Sequence, residues 1–171
     1  MRRALVSVLV ILFLAAPATA HKRDLIRAGK RVGPIKLYET TVKEAKRWFG
    51  DPTRRRIVGR GCVQNVLELR WDGSLKVWAG RYENGRAPIA EAHVFAPTLT
   101  STQHGALAIH TRRYIRVGDS ERKVRRKYPN ARAETHLGHT HYIVEDEYDR
   151  LYVRVEDGVA VKLEARPFEW C

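Results

Sequence analysis

Cysteine is scarce: there are two in 171 residues, too few for a cysteine-rich knot or a zinc ribbon. Acidic residues are short as well, 19 Asp and Glu against 32 Lys and Arg, which leaves a formal net charge of +13. That imbalance speaks to association with polyanions and not to fold. No zinc finger and no RNA-binding aromatic signature accompanies it, so the apparatus of nucleic-acid recognition is missing. Nor does any motif name a reaction, a ligand or a cofactor. The length excludes a large multidomain enzyme and suits one ordinary domain or two small ones. What is present, 44% hydrophobic and 30% charged residues, is apolar enough to exclude wholesale disorder.

Arg2 and Arg3 precede an apolar run from Ala4 to Ala16, and Pro17 leads into the small residues Ala18, Thr19 and Ala20. A positive start, a short apolar stretch and a small-residue cleavage site form the pattern of a secretory signal, cleaved near Ala20. As a membrane anchor the run falls short, reaching about 20 Å at ~1.5 Å per residue against a ~30 Å hydrocarbon core. No cysteine follows it to take a lipid, and Arg2-Arg3 matches the twin-arginine route only in the pair itself. Removing these 20 residues, two of them arginine, from 171 at +13 leaves 151 at +11. The expectation is a secreted or cell-wall-associated protein with no transmembrane helix in its mature chain.

A mature chain of this length buries about 70% of its unfolded surface and needs no metal to hold a core. In an oxidising compartment Cys62 and Cys171 read as a disulfide. It would close a loop of roughly a hundred residues, worth about 4–5 kcal/mol by chain entropy, and tie down Glu169-Trp170-Cys171. Two other readings stay open. Cys62 could be a nucleophile, although Gly61 and Val63 supply no base, and Cys171 could join two chains.

The chain resembles itself once. Ile35-Lys36-Leu37 alternates as a short strand, and Thr41-Val42-Lys43-Glu44 has the form of a capping box. Val42, Ala45 and Phe49, with Trp48 beside them, make one apolar helix face, which Gly50-Asp51-Pro52 ends. Ile115-Arg116-Val117 is again strand-like, Gly118-Asp119-Ser120 turns into an N-cap, and Val124 and Tyr128 mark a second helix face stopped by Pro129-Asn130. Thr41 and Ser120, Ala45 and Val124, Phe49 and Tyr128, and Gly50 and Pro129 are each 79 positions apart. Strand-like segments follow each helix: Val66 to Trp71, Leu75 to Ala79 and Ile89 to Phe95 in one half, Leu151 to Val155 and Val159 to Leu163 in the other. Asp72-Gly73 and Asp157-Gly158 supply tight turns. The expected fold is α+β, two tandem units that each consist of a short helix followed by an antiparallel three-strand meander. The first covers 35–97 and the second 113–171, after an N-terminal segment at 21–34 and with a linker at 98–112. The competing reading is that two capped helices before hairpins coincide.

This arrangement resembles the tandem-repeat architecture of the beta-lactamase inhibitory protein, and each half is similar to the small lipoproteins of outer-membrane barrel assembly. The segments from Val32-Gly33-Pro34-Ile35 to Pro52 and from Thr111 to Ala131 also resemble those of uncharacterised secreted proteins of high-GC bacteria. The resemblance is architectural and implies a non-catalytic protein that presents a sheet surface to another protein. The inhibitor's disulfide within each half has no counterpart here, and no inhibitory or assembly residue carries over.

Three side-chain groups could carry chemistry. His136, His139 and His141 place three imidazoles within six positions, and His139 and His141 share a face if the stretch is extended. Imidazole suits zinc, copper or nickel, but a fourth ligand is not identifiable, so polar loop histidines are the plainer reading. Glu145-Asp146-Glu147-Tyr148-Asp149 lacks the spacing of a calcium loop and reads as a solvated acidic turn. Arg54, Arg55 and Arg56, with Arg60, and then Arg122, Arg125 and Arg126 form basic clusters suited to an anionic surface. The alternative is compositional, since 23 of the 32 basic residues are arginine. Trp71 and Trp78 have opposite parity across a hairpin, which places at least one of them on the exposed sheet face, where an aromatic can anchor a protein or glycan partner; core packing is the default for tryptophan. The sequence thus points to an exported, non-enzymatic binding or inhibitor-like protein. Its expected partner is another protein or an anionic envelope polymer, not nucleic acid. The alternative is a small secreted hydrolase or metal-dependent enzyme built on His136, His139 and His141.

Overall fold

Thr41 and Ser120 each begin a helix. In the computed structural model, which describes residues 24–28, 30–60, 63–80, 86–146 and 149–167, α1 (Val42–Phe49) carries a reciprocal cap. The Glu44 amide donates to Thr41 Oγ1 at 3.3 Å and the Thr41 amide donates to the Glu44 carboxylate at 2.8 Å, which satisfies two helix-end donors. Ser120 Oγ accepts the Lys123 amide at 3.3 Å at the start of α2 (Glu121–Lys127). With eight and seven residues, neither helix is long enough to stand alone in water. Burial of Val42 and Ala45 on α1 and of Val124 on α2 holds them in place.

The strands are β1 (Ile26–Arg27), β2 (Arg31–Val32), β3 (Ile35–Lys36), β4 (Arg54–Arg60), β5 (Val63–Trp71), β6 (Leu75–Ala79), β7 (Ile89–Val94), β8 (Leu99–Ser101), β9 (Gly105–Leu107), β10 (Arg132–His136), β11 (His139–Asp146), β12 (Asp149–Glu156) and β13 (Val159–Pro167). β1 to β3 form a small sheet, and β8 and β9 a hairpin inside the expected linker. The other eight form one antiparallel sheet in the order β10-β11-β12-β13-β7-β6-β5-β4.

This overturns the expected pair of α+β units with three-strand meanders. The described residues are mostly β, 53% strand and 12% helix, and the large sheet is continuous. Each helix is followed by four strands, β4 to β7 and β10 to β13. The two runs fuse where β13 pairs with β7, Leu163 opposite Val94, Glu164 opposite His93 and Ala165 opposite Ala92. β4 and β10 escape sequence reading because they are the sheet's two ends: Arg54 to Ile57 and all of Arg132 to His136 are exposed, so neither shows a full apolar alternation. Leu137 and Gly138, with φ of 50° and 77°, join β10 to β11, as Asp157 and Gly158 (48° and 74°) join β12 to β13. Positive φ at both central residues is the hairpin turn whose twist matches the flanking strands.

One face of the sheet makes the core. Leu67, Leu69, Trp71, Leu75, Val77, Ala92, Val94, Leu151, Val153, Val155, Leu163 and Ala165 pack in one cluster with Val42 and Ala45 of α1, Val124 of α2 and Tyr128 at the C-cap of α2. The linker is pinned to both helices. Thr102 donates through its amide to the Trp48 carbonyl at 2.7 Å, closing the end of α1, and the Tyr128 hydroxyl donates to Thr111 Oγ1 at 2.8 Å. No helix among the described residues is long and apolar enough to cross a membrane. Cys62, Cys171, the expected signal and the side chains from Glu145 to Asp149 lie outside the described residues.

Candidate binding face

Strand parity sends every second side chain to the face away from the helices. That face carries Arg54 and Arg56 of β4, Glu68 and Arg70 of β5, Lys76 and Trp78 of β6, and Glu91 and His93 of β7. From the other half come Lys162, Glu164 and Arg166 of β13, Tyr152 and Arg154 of β12, and His139 and His141 of β11. Such a face is ordinarily solvated. Here Glu91 and Glu164 are 0% exposed, Glu68 2%, His93 4% and Lys162 9%.

Glu91, His93, Lys162 and Glu164 are buried among one another at the join between the two runs. His93 Nε2 lies 2.5 Å from Glu91 Oε1 and 3.4 Å from Glu164 Oε2. Arg166 Nε donates to Glu164 Oε2 at 2.8 Å, its Nη2 contacts the same oxygen, and Nε stands 3.7 Å from Glu91. Lys162 Nζ is 2.8 Å from Glu164 Oε1. Aromatic rings flank the network: Trp78 meets the His93 ring edge-on at 4.4 Å, Arg166 lies over Tyr152 at 4.7 Å, and Lys162 lies over Phe95 at 5.5 Å. His93 Nδ1 is buried without a hydrogen-bond partner.

Burial by itself would raise the Glu164 carboxyl, but the neighbouring His93, Arg166 and Lys162 outweigh it and hold the group far below its ordinary value. Burial lowers His93 despite Glu164 and Glu91, so His93 is neutral at pH 7 and the charges of Arg166 and Lys162 carry the effect there. Lys162 is lowered by its own burial against the pull of Glu164. Farther along, burial opposes ionisation of Glu68, yet hydrogen bonds from Arg56 and Lys76 bring it down to about 2. One Glu68 carboxylate meets Arg56 at 2.6 Å, Arg70 at 3.3 Å and Lys76 at 3.2 Å.

The register also sets cations directly opposite one another. Arg54 faces Arg70, which faces Lys76, Arg154 faces Lys162, and Arg150 faces Arg166. Like charges opposite each other in a sheet are destabilising. At the β10 end of the face a cleft of about 450 Å³ is lined by Glu134, Thr135, His136, His141, Tyr152 and Arg166.

The sequence-derived candidates are dispersed over the fold. His136 and His139 are cross-strand partners in the β10–β11 hairpin. His139 and His141 share the face, and the His136 and His141 rings are 6.4 Å apart. His139 Nδ1 lies 3.4 Å from Glu156, and His141 Nδ1 3.6 Å from Glu164. Among the described residues no three His, Cys, Asp or Glu side chains gather to hold a metal ion. Of the arginines, Arg54 and Arg56 belong to this face, while Arg55 lies opposite Leu69 on the helix side. Arg122, Arg125 and Arg126 are exposed on α2, where Arg125 Nε donates to Glu121 at 3.0 Å and to the Tyr142 hydroxyl at 2.8 Å. Trp71 sits in the core and Trp78 on the opposite face, both buried. Glu68, Lys76, Glu91, His93, Lys162, Glu164 and Arg166 escaped sequence reading. Their alternation with apolar residues is the only signal they leave, and it is also the signature of a solvated face.

No family model matches the chain, and no curated protein does. Among solved structures, a DUF4309 family protein (YjgB) from Bacillus subtilis is similar at 14% identity and a TM-score of 0.48, covering 78% of this chain and 82% of that one.

Proposed function

We propose that this chain is an exported, non-enzymatic binding protein that docks an acidic protein partner on the helix-free face of its sheet. The observation that carries the reading is the set of cations placed opposite one another, Arg54 with Arg70 and Lys76, Arg154 with Lys162, and Arg150 with Arg166. Glu68 and Glu164 offset part of this charge and Glu156 pairs with Arg154, and an anionic surface laid on the face meets the remaining excess of cations. The buried network adds a second argument. Desolvating an ion costs several kcal/mol, and apolar replacements are often as stable or more so, so the network's benefit is a fixed geometry at the centre of the face. The cleft beside Tyr152 and Arg166 suits one anchoring side chain, which favours a folded partner over a uniform polymer.

The test is capture from an envelope extract on the immobilised chain, with Tyr152→Ala as the control variant. The expected result is a protein retained at low salt, released as the Debye length shrinks toward ~3 Å near 1 M, and lost from the variant. Retention of wall polymer alone, or of proteins that Tyr152→Ala holds equally well at both salts, overturns the proposal.

A further inference from the structure

We propose that β4 receives an extended acidic segment of a partner as a ninth strand of the sheet. The proposal concerns the sheet's edge and stands without the cleft or the buried network.

β4 ends the strand order and pairs only with β5 among the described residues. An end strand presents a row of backbone donors and acceptors that can template another chain. Arg54 to Val58 run in regular register with Arg70 to Val66 before a bulge between Val58 and Arg60, so five residues form a straight edge, about 17 Å at ~3.4 Å each. Arg54, Arg55, Arg56 and Ile57 are all exposed, Ile57 at 43%, so a strand laid alongside would gain apolar contact at Ile57. Arg56 is committed to Glu68. Arg54 and Arg55 point to opposite faces, which matches the alternation of side chains on an added strand.

Charge selects the occupant. A second copy would set these arginines against their own kind, and like charges opposite each other repel. The same arginines that keep β4 from pairing with itself attract a segment bearing carboxylates at alternate positions. β10, the other edge, has no such preference, because Arg132 and Glu134 neutralise each other at 3.1 Å. Main-chain pairing would provide affinity and the arginines would select the sign of charge.

The experiment titrates the ¹⁵N-labelled chain with a ten-residue peptide of alternating Glu and Val, alongside its Lys–Val counterpart and a backbone N-methylated Glu–Val peptide. The expected outcome is amide shifts and slowed hydrogen exchange from Arg54 to Val58 with the acidic peptide only, and affinity reduced about tenfold in Arg54→Gln/Arg55→Gln. Both positions are exposed, so the variant tests charge without disturbing the core. The proposal is overturned if the N-methylated peptide binds as well, since binding is then charge alone. It is equally overturned if the shifts map to α2 or the cleft, or if polyphosphate protects the same amides to the same degree.

Discussion

Glu164 is the most exacting position in the molecule, because one fully buried carboxylate is shared by Arg166, Lys162 and, more distantly, His93 and His141. Glu164→Gln preserves volume and removes the charge. Breaking a buried pair by neutralising one partner costs ~3–5 kcal/mol, since the other partner is left buried and uncompensated. Arg166 keeps Glu91 at 3.7 Å and so stays partly compensated, which sets the cost at the low end of that range, about 3 kcal/mol. For a chain of this size that corresponds to a fall in Tm of about 6–12 °C. The pH dependence supplies an independent check. The carboxyl sits below its ordinary value of 4.5 in the folded chain, so its contribution is complete above about pH 4.5 and is lost as pH falls toward the folded value. Urea unfolding of both proteins from pH 7 to pH 3 should show a gap that is full at neutral pH and narrows below 4.5. A gap under about 1 kcal/mol at pH 7, or one that does not change with pH, would refute the argument that Glu164 is ionised and holds its neighbours.

Other positions test separate parts of the reasoning. His93 is lowered from 6.5 by burial, so stability should decline as pH falls through 6.5 and the unfolded chain takes up a proton that the folded chain refuses; His93→Gln should flatten that slope in urea midpoints measured between pH 7.5 and about 5.5. Leu163→Ala removes a fully buried side chain where β13 meets β7 and should cost about 2–5 kcal/mol by chemical denaturation. Thr41→Ala abolishes the reciprocal cap of α1 and should cost about 1 kcal/mol, as should Ser120→Ala at α2, with thermal melts as the readout.

The caps were legible because capping is local: the hydroxyl of Thr41 or Ser120 reaches an amide three residues on, and both partners lie in one short word of sequence. The Asp72-Gly73 and Asp157-Gly158 turns were legible for the same reason, and so was the opposite parity of Trp71 and Trp78. β4 was not legible, because its residues read as a basic cluster. A strand at the end of a sheet has a partner on one side only, so its sequence need not alternate fully. The linkage of the two runs was not legible either. Leu163 and Val94, 69 positions apart in sequence, carry no mark that they pair, since a backbone ladder accepts any residues whose faces agree.

The same division runs through the candidate site. The local sequence determined where helices start, where hairpins turn and which side chains alternate, because each of these depends on neighbours within a few positions. Whether Glu91, His93, Lys162, Glu164 and Arg166 face water or one another depends on β13 meeting β7. Only the tertiary structure decided that, because burial is a property of what lies across the sheet, and the residues across the sheet come from the other half of the chain.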